Sequence, residues 1–215
     1  MPRYVVRLWL DDRPGALGAV ASRIGAVRGD LIGIEILERG AGRAIDELLV
    51  ELSEASLVDL MIKEIREVDG VDVEDVRIAR DVALDRQVEL LRVAADLVCS
   101  EDSAAIVARL VNYVRHDFEP DWLAVVDLRA REILAKEGDH PSLEWILAFV
   151  DGASYLESSG QGPNDLCWAR FREQSICLLT SRSARPYRAV ERQVIGELAG
   201  IAGSCLARWD SGTWG

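Results

Sequence analysis

Two adjacent carboxylates, Asp11 and Asp12, precede Arg13-Pro14-Gly15-Ala16-Leu17, where a strand-like run gives way to helical spacing. Pro14 has no N–H to leave unsatisfied and presets φ for a first helical turn. Gly15 lets a ligand come close to the backbone. The free N–H groups of a helix start favour a carboxylate, and Asp11 or Asp12 can hold an ammonium group. A zwitterion such as an amino acid suits this pattern. The competing roles are structural: an aspartate as an N-cap, and Pro-Gly as a plain turn.

Other chemistry is sparse. The two histidines, His116 and His140, neighbour no nucleophile in sequence, and no GxSxG, Walker A, HExxH or GxGxxG pattern occurs. One adjacent carboxylate pair supplies too few ligands for a metal. No catalytic residue, metal site or cofactor is therefore expected. Cys99, Cys167, Cys177 and Cys205 lie far apart without a CxxC pair, which points to reduced thiols and a cytoplasmic chain. Cys167 and Cys177 fall on successive strands, where a redox pair competes with ordinary burial. Trp145 and Trp168 admit either an aromatic-lined pocket or core packing, and packing is the commoner use. Gly200-Ile201-Ala202-Gly203 suggests close packing of a helix.

The net charge of -12 over 215 residues argues against phosphate-backbone and anionic-membrane partners. No window reaches the roughly 18 apolar residues of a membrane span, and the N-terminus lacks a signal-peptide core. With 49% hydrophobic and 29% charged residues the chain can build a core.

The elements that must position the aspartates follow from periodicity. Residues 4–10 alternate, with Val6, Leu8 and Leu10 on one face and Val5, Arg7 and Trp9 on the other. The Trp9 face is expected to be exposed and free to pair with another sheet. Ala16, Leu17, Val20, Ile24 and Val27 follow at helical spacing. A second strand should turn Ile32, Ile34 and Ile36 inward and Gly33, Glu35 and Glu38 outward. After the Gly40-Ala41-Gly42 turn, a third strand carries Leu48, Val50 and Leu52 inward, with Glu47 and Glu51 outward. Ser56 with Asp59 reads as a capping box, and Val71–Ile78 closes a β-α-β-β-α-β unit. The remainder reads α-α-β-β-(α)-β-β-α. Residues 82–98 read as a helix on which Val82, Leu84, Val88, Leu91, Ala95 and Val98 make an apolar stripe broken by charge. Ser103 caps the next helix, 141–150 is a short amphipathic segment, and 187–209 is a long closing helix.

The first 78 residues resemble an ACT domain, the small-molecule-binding regulatory module of amino-acid metabolism. The resemblance rests on Asp11-Asp12-Arg13-Pro14-Gly15-Ala16-Leu17-Gly18 between strand and helix, and on the Gly29 to Ile34 stretch that starts strand two. It implies an α+β, ferredoxin-like βαββαβ fold. It also implies a ligand held between this loop and strand two of a paired copy, where Gly33 and Ile34 would line the other wall. Residues 82–209 resemble a GAF domain in element order, implying an α/β domain with a central antiparallel sheet and flanking helices.

The expected organisation is an ACT-like ligand-binding and dimerisation domain over 1–79, a GAF-like domain over 80–209, and a flexible tail over 210–215. The expected function is non-enzymatic: a regulatory sensor that binds a small molecule, an amino acid, through Asp11, Asp12, Arg13, Pro14, Gly15, Ala16, Leu17, Gly33 and Ile34. It would work as a homodimer or higher homo-oligomer and relay the signal across the join near Arg80. A protein partner is allowed, and direct nucleic-acid binding is not expected. The alternatives are a ligand-free dimerisation scaffold and an enzyme with its site in the second domain.

Overall fold

A computed structural model describes residues 1–79, 86–159 and 163–210, with the backbone alone for 154–159 and 209–210. The expected relay segment near Arg80 lies outside them, as does the tail expected over 210–215 from residue 211 on, while Asp210 is helical. The chain forms two compact units, Met1–Leu84 and Asp85–Gly215.

The first unit contains β1 (Arg3–Asp11), α1 (Ala16–Ala26), β2 (Gly29–Gly40), β3 (Arg43–Leu52), α2 (Val58–Arg66) and β4 (Val71–Ile78). Its sheet has the order β2-β3-β1-β4, every neighbour antiparallel. The alternation in β1 and β3 turns Val6, Leu8, Leu10, Leu48, Val50 and Leu52 into one core with Val20 and Ile24 of α1 and Met61 and Ile65 of α2. Burying each such side chain contributes about 1.5–3 kcal/mol.

Several expectations change here. Ile34 and Ile36 lie opposite Leu48 and Asp46, but β2 is an edge strand, and they stay 50% and 38% exposed. Register shifts at Ile32 and Leu37 interrupt the alternation, and Leu37 is the residue buried instead. Glu47, at an outward position by alternation, is buried with Arg7, and the Trp9 face is not an open surface. Ser56 caps nothing: it sits in a single 3-10 turn, Ala55–Leu57, and its hydroxyl donates to Glu54.

The second unit contains α3 (Arg86–Val98), α4 (Ser103–Phe118), β5 (Trp122–Asp127), β6 (Glu132–Gly138), α5 (Leu143–Ser159), β7 (Leu166–Arg170), β8 (Ile176–Ser181) and α6 (Ala189–Asp210). Both expected hairpins form, and β5–β8 pairing joins them in the antiparallel order β6-β5-β8-β7. Both faces of the sheet are covered. Leu123, Val125 and Leu178 pack with α4 and α6, while Ala124, Val126 and Leu179 pack with Ile146 and Val150 of α5.

Here too the helix details differ. Asp102 rather than Ser103 caps α4, accepting from the Ala105 N–H. The 141–150 segment continues as a helix to Ser159. On α3 the buried residue is Leu97. Val88, Leu91 and Val98 are exposed, Leu91 at 71%, and Val82 and Leu84 lie outside the described residues.

Candidate functional site

Three turns meet at one end of the first sheet. The Asp11 N–H donates to the Gly70 carbonyl at 3.2 Å, and the Asp12 N–H donates to the Gly42 carbonyl at 2.9 Å. The β1–α1 loop is thereby tied to both the α2–β4 turn and the β2–β3 turn. The Arg13 N–H returns to the Asp11 carbonyl at 2.8 Å, and the Arg13 Nε lies 3.6 Å from the Asp11 carboxylate.

The loop departs from expectation in two details. Helix α1 begins at Ala16, so Pro14 lies ahead of it rather than in its first turn. Its N-cap is Gly15, at φ +89, and no side chain caps the helix. The aspartates therefore do not serve as N-caps. The Ala19 N–H reaches the Gly15 carbonyl, while those of Leu17 and Gly18 have no helical carbonyl to meet. Asp12, Arg13, Pro14 and Gly15 are exposed, Asp11 and Leu17 are half-buried, and Ala16 is buried.

Gly33 and Ile34 do not adjoin this loop within one chain. Ile34 pairs with Leu48, and Leu48 pairs with Val6. Val6 is five residues from Asp11, roughly 16 Å along the strand, with two strand spacings of about 4.8 Å added across the sheet. The expected site residues thus form two groups: the loop, and a patch on the β2 edge.

Asp46 was missed. It pairs with Leu8 and so shares the helix-facing side of β3 with Ala44 and Leu48. It is 3% exposed, and its Oδ1 has no hydrogen-bond partner among the described residues. Burial raises its pKa above the ordinary aspartate value; Arg39 opposes the shift and the nearby Asp12 adds to it. The signal was present in sequence: the inward series Leu52, Val50, Leu48, extended by one step, lands on Asp46.

The opposite face of this sheet carries an ion cluster. The Arg7 guanidinium donates to Glu47 at 2.8–2.9 Å, Arg77 donates to the same oxygen at 3.0 Å, and Arg77 also reaches Asp75 at 3.1 Å. Burial pushes the Glu47 pKa up, but Arg77 and Arg7 overcome it and hold it at about 2. This is a structural pair with its charges satisfied.

In the second unit, Cys167 packs on the α4–α6 side of the sheet and Cys177 on the α5 side. Opposite faces exclude a disulfide between them, and burial pushes the Cys167 thiol up to about 12. Phe149 stacks on Trp145 at 5.4 Å and meets Trp168 edge-on at 5.3 Å, so these rings pack on one another. His116 is exposed near the end of α4, and the His140 Nδ1 pairs with the Pro141 carbonyl. Among the described residues there is no group of three metal-ligating side chains, and no helix is long and apolar enough to cross a membrane.

No family model matches the chain, and no curated protein matches it. Among solved structures it is similar to the ACT domain of the GTP pyrophosphokinase of Chlorobium tepidum. That likeness has 15% identity and a TM-score of 0.30, covering 37% of this chain and all of that one. The crystal structure of an unknown protein from Galdieria sulphuraria matches 99% of this chain and 93% of its own, at 14% identity and a TM-score of 0.35.

Proposed function

We propose that this chain is a non-enzymatic regulatory protein whose first unit, a ferredoxin-like module of ACT type, binds a free amino acid at the β1–α1 loop of a homodimer. The second unit is then a GAF-like output or sensor module. The observation that supports this most is the buried carboxylate of Asp46, which lies within electrostatic reach of Asp12 in the loop that leads into the uncapped α1. The N–H groups of Leu17 and Gly18 suit a carboxylate. Asp46 is buried with an unsatisfied oxygen and is repelled by Asp12. A bound ammonium group would relieve both.

The test is thermal stability of the whole chain against the twenty amino acids at millimolar concentration. A ligand at about 100 times its Kd adds roughly 2.7 kcal/mol to the folded state. An upward shift with one or two amino acids, lost in Asp12→Ala, is the expected result. A flat panel removes the amino-acid reading.

A second reading, a ligand-free dimerisation scaffold, is favoured by the β2 edge, where Ile34 and Ile36 stay exposed. A concentration-dependent dimer with a flat panel distinguishes it.

A further inference from the structure

The glycines of α6 admit an arginine. A Cβ at Gly203 would lie 2.3 Å from the backbone N and 2.4 Å from the backbone O of Arg172, so the turn after β7 rests directly on the bare helix. The space beside Gly200 is taken by the Arg172 side chain, whose Nη2 lies 3.7 Å from where a Cβ would stand. The Gly200–Gly203 pair therefore accommodates a turn rather than a neighbouring helix.

Arg172 borders a groove of about 490 Å³ between α3 and α6, within the size range of small-molecule sites. Ala94, Ala95, Val98 and Ile201 give it an apolar lining. Its hydroxyl, on Ser204, already donates to the Gly200 carbonyl at 3.1 Å. Glu197 lies one helical turn before Gly200 but forms no ion pair with Arg172. Among the described residues nothing hydrogen-bonds or ion-pairs the Arg172 guanidinium, whereas Arg208 at the groove has a partner of its own. Arg172 is exposed, so its guanidinium, held by its backbone against α6, is hydrated and open to an external anion on the side away from Glu197.

We infer that this groove binds an anionic amphiphile: an apolar chain lying along Ala95, Val98 and Ile201, with a carboxylate or phosphate head on Arg172. The guanidinium fork suits either head in bidentate fashion, and the chain would cover Val98, which is otherwise exposed. The site lies wholly within the second unit, so it stands or falls separately from the amino-acid reading.

Cys99 lines the same groove and is exposed, while Cys167, Cys177 and Cys205 are buried. Its alkylation by iodoacetamide, followed by intact mass on the whole chain, reports occupancy. Octanoate or octyl phosphate at about four times its Kd should slow alkylation roughly fivefold. Whichever anion protects at lower concentration identifies the head group. Octanol and octylamine should protect far less, and Arg172→Gln, at an exposed position, should erase the advantage of the anions without changing Tm. Equal protection by octanol, protection retained in Arg172→Gln, or none by either anion overturns the proposal. So does a Cys99 rate set by protein concentration alone, which would mark the groove as a face covered by a second copy.

Discussion

The Asp11 carboxylate occupies the space that a side chain on Gly70 would need: a Cβ there would stand 2.3 Å from Oδ2. Gly70 also holds φ at +77, a conformation that costs an L-residue about 1–3 kcal/mol. Gly70→Ala should therefore destabilise the chain by about that amount and push Asp11 away from Arg13. Urea unfolding of Gly70→Ala in the wild-type and Asp11→Ala backgrounds separates the two effects. The backbone cost persists in both, and the steric part disappears with the carboxylate.

Glu47 predicts an acid transition. Its folded pKa of about 2 lies below the reference value of 4.5. Its contribution to stability is therefore fully present above pH 4.5 and is lost as pH falls toward 2. Glu47→Gln also removes the carboxylate that Arg7 and Arg77 share, a loss of at most about 3–5 kcal/mol at neutral pH. Unfolding free energies of the two proteins should converge as the pH is lowered through that window. A pH-independent gap would show that Glu47 acts by packing alone.

Asp46 predicts the opposite sign. A carboxyl whose folded pKa is raised above 3.8 costs stability at neutral pH, and the cost fades as pH falls through the folded value. Asp46→Asn, nearly isosteric and uncharged, should raise Tm at pH 7 and lose that advantage in acid. The same variant should weaken the response to whichever amino acid stabilises the wild type. Stability gained together with ligand response lost is the pattern of a residue retained for binding at the expense of the fold.

Much of this architecture was legible in the chain. The β-α-β-β-α-β order, both hairpins of the second unit and the closing helix follow from apolar period and turn residues. What failed depends on partners that are distant in sequence. The alternation of β2 reads regularly through Ile32, Ile34 and Ile36, and only pairing with β3 introduces the shifts that bury Leu37. Arg7 and Glu47 each read as solvent-facing, because a polar residue opposite a core face looks exposed until its buried counter-charge is known. Asp102 and Ser103 are adjacent capping types, and reach to the Ala105 N–H decides between them. Of the candidate site, the loop was readable from Asp11 to Leu17. Asp46 is legible only by carrying the inward series one step past Leu48, against the rule that assigns such positions to apolar side chains.

The register shifts matter beyond local geometry. In each sheet the ladder register of an edge strand skips a residue: Ile32 and Leu37 on β2, Glu74 on β4, and Leu134 on β6. The remaining edge, β7, is only five residues long. A bulge bends a strand and interrupts the even row of donors and acceptors that an incoming strand must match. On β2 the regular stretch between bulges runs only from Gly33 to Ile36. Among the described residues there is thus no long flat template, and fibrous growth by successive strand addition would first require these edges to unfold.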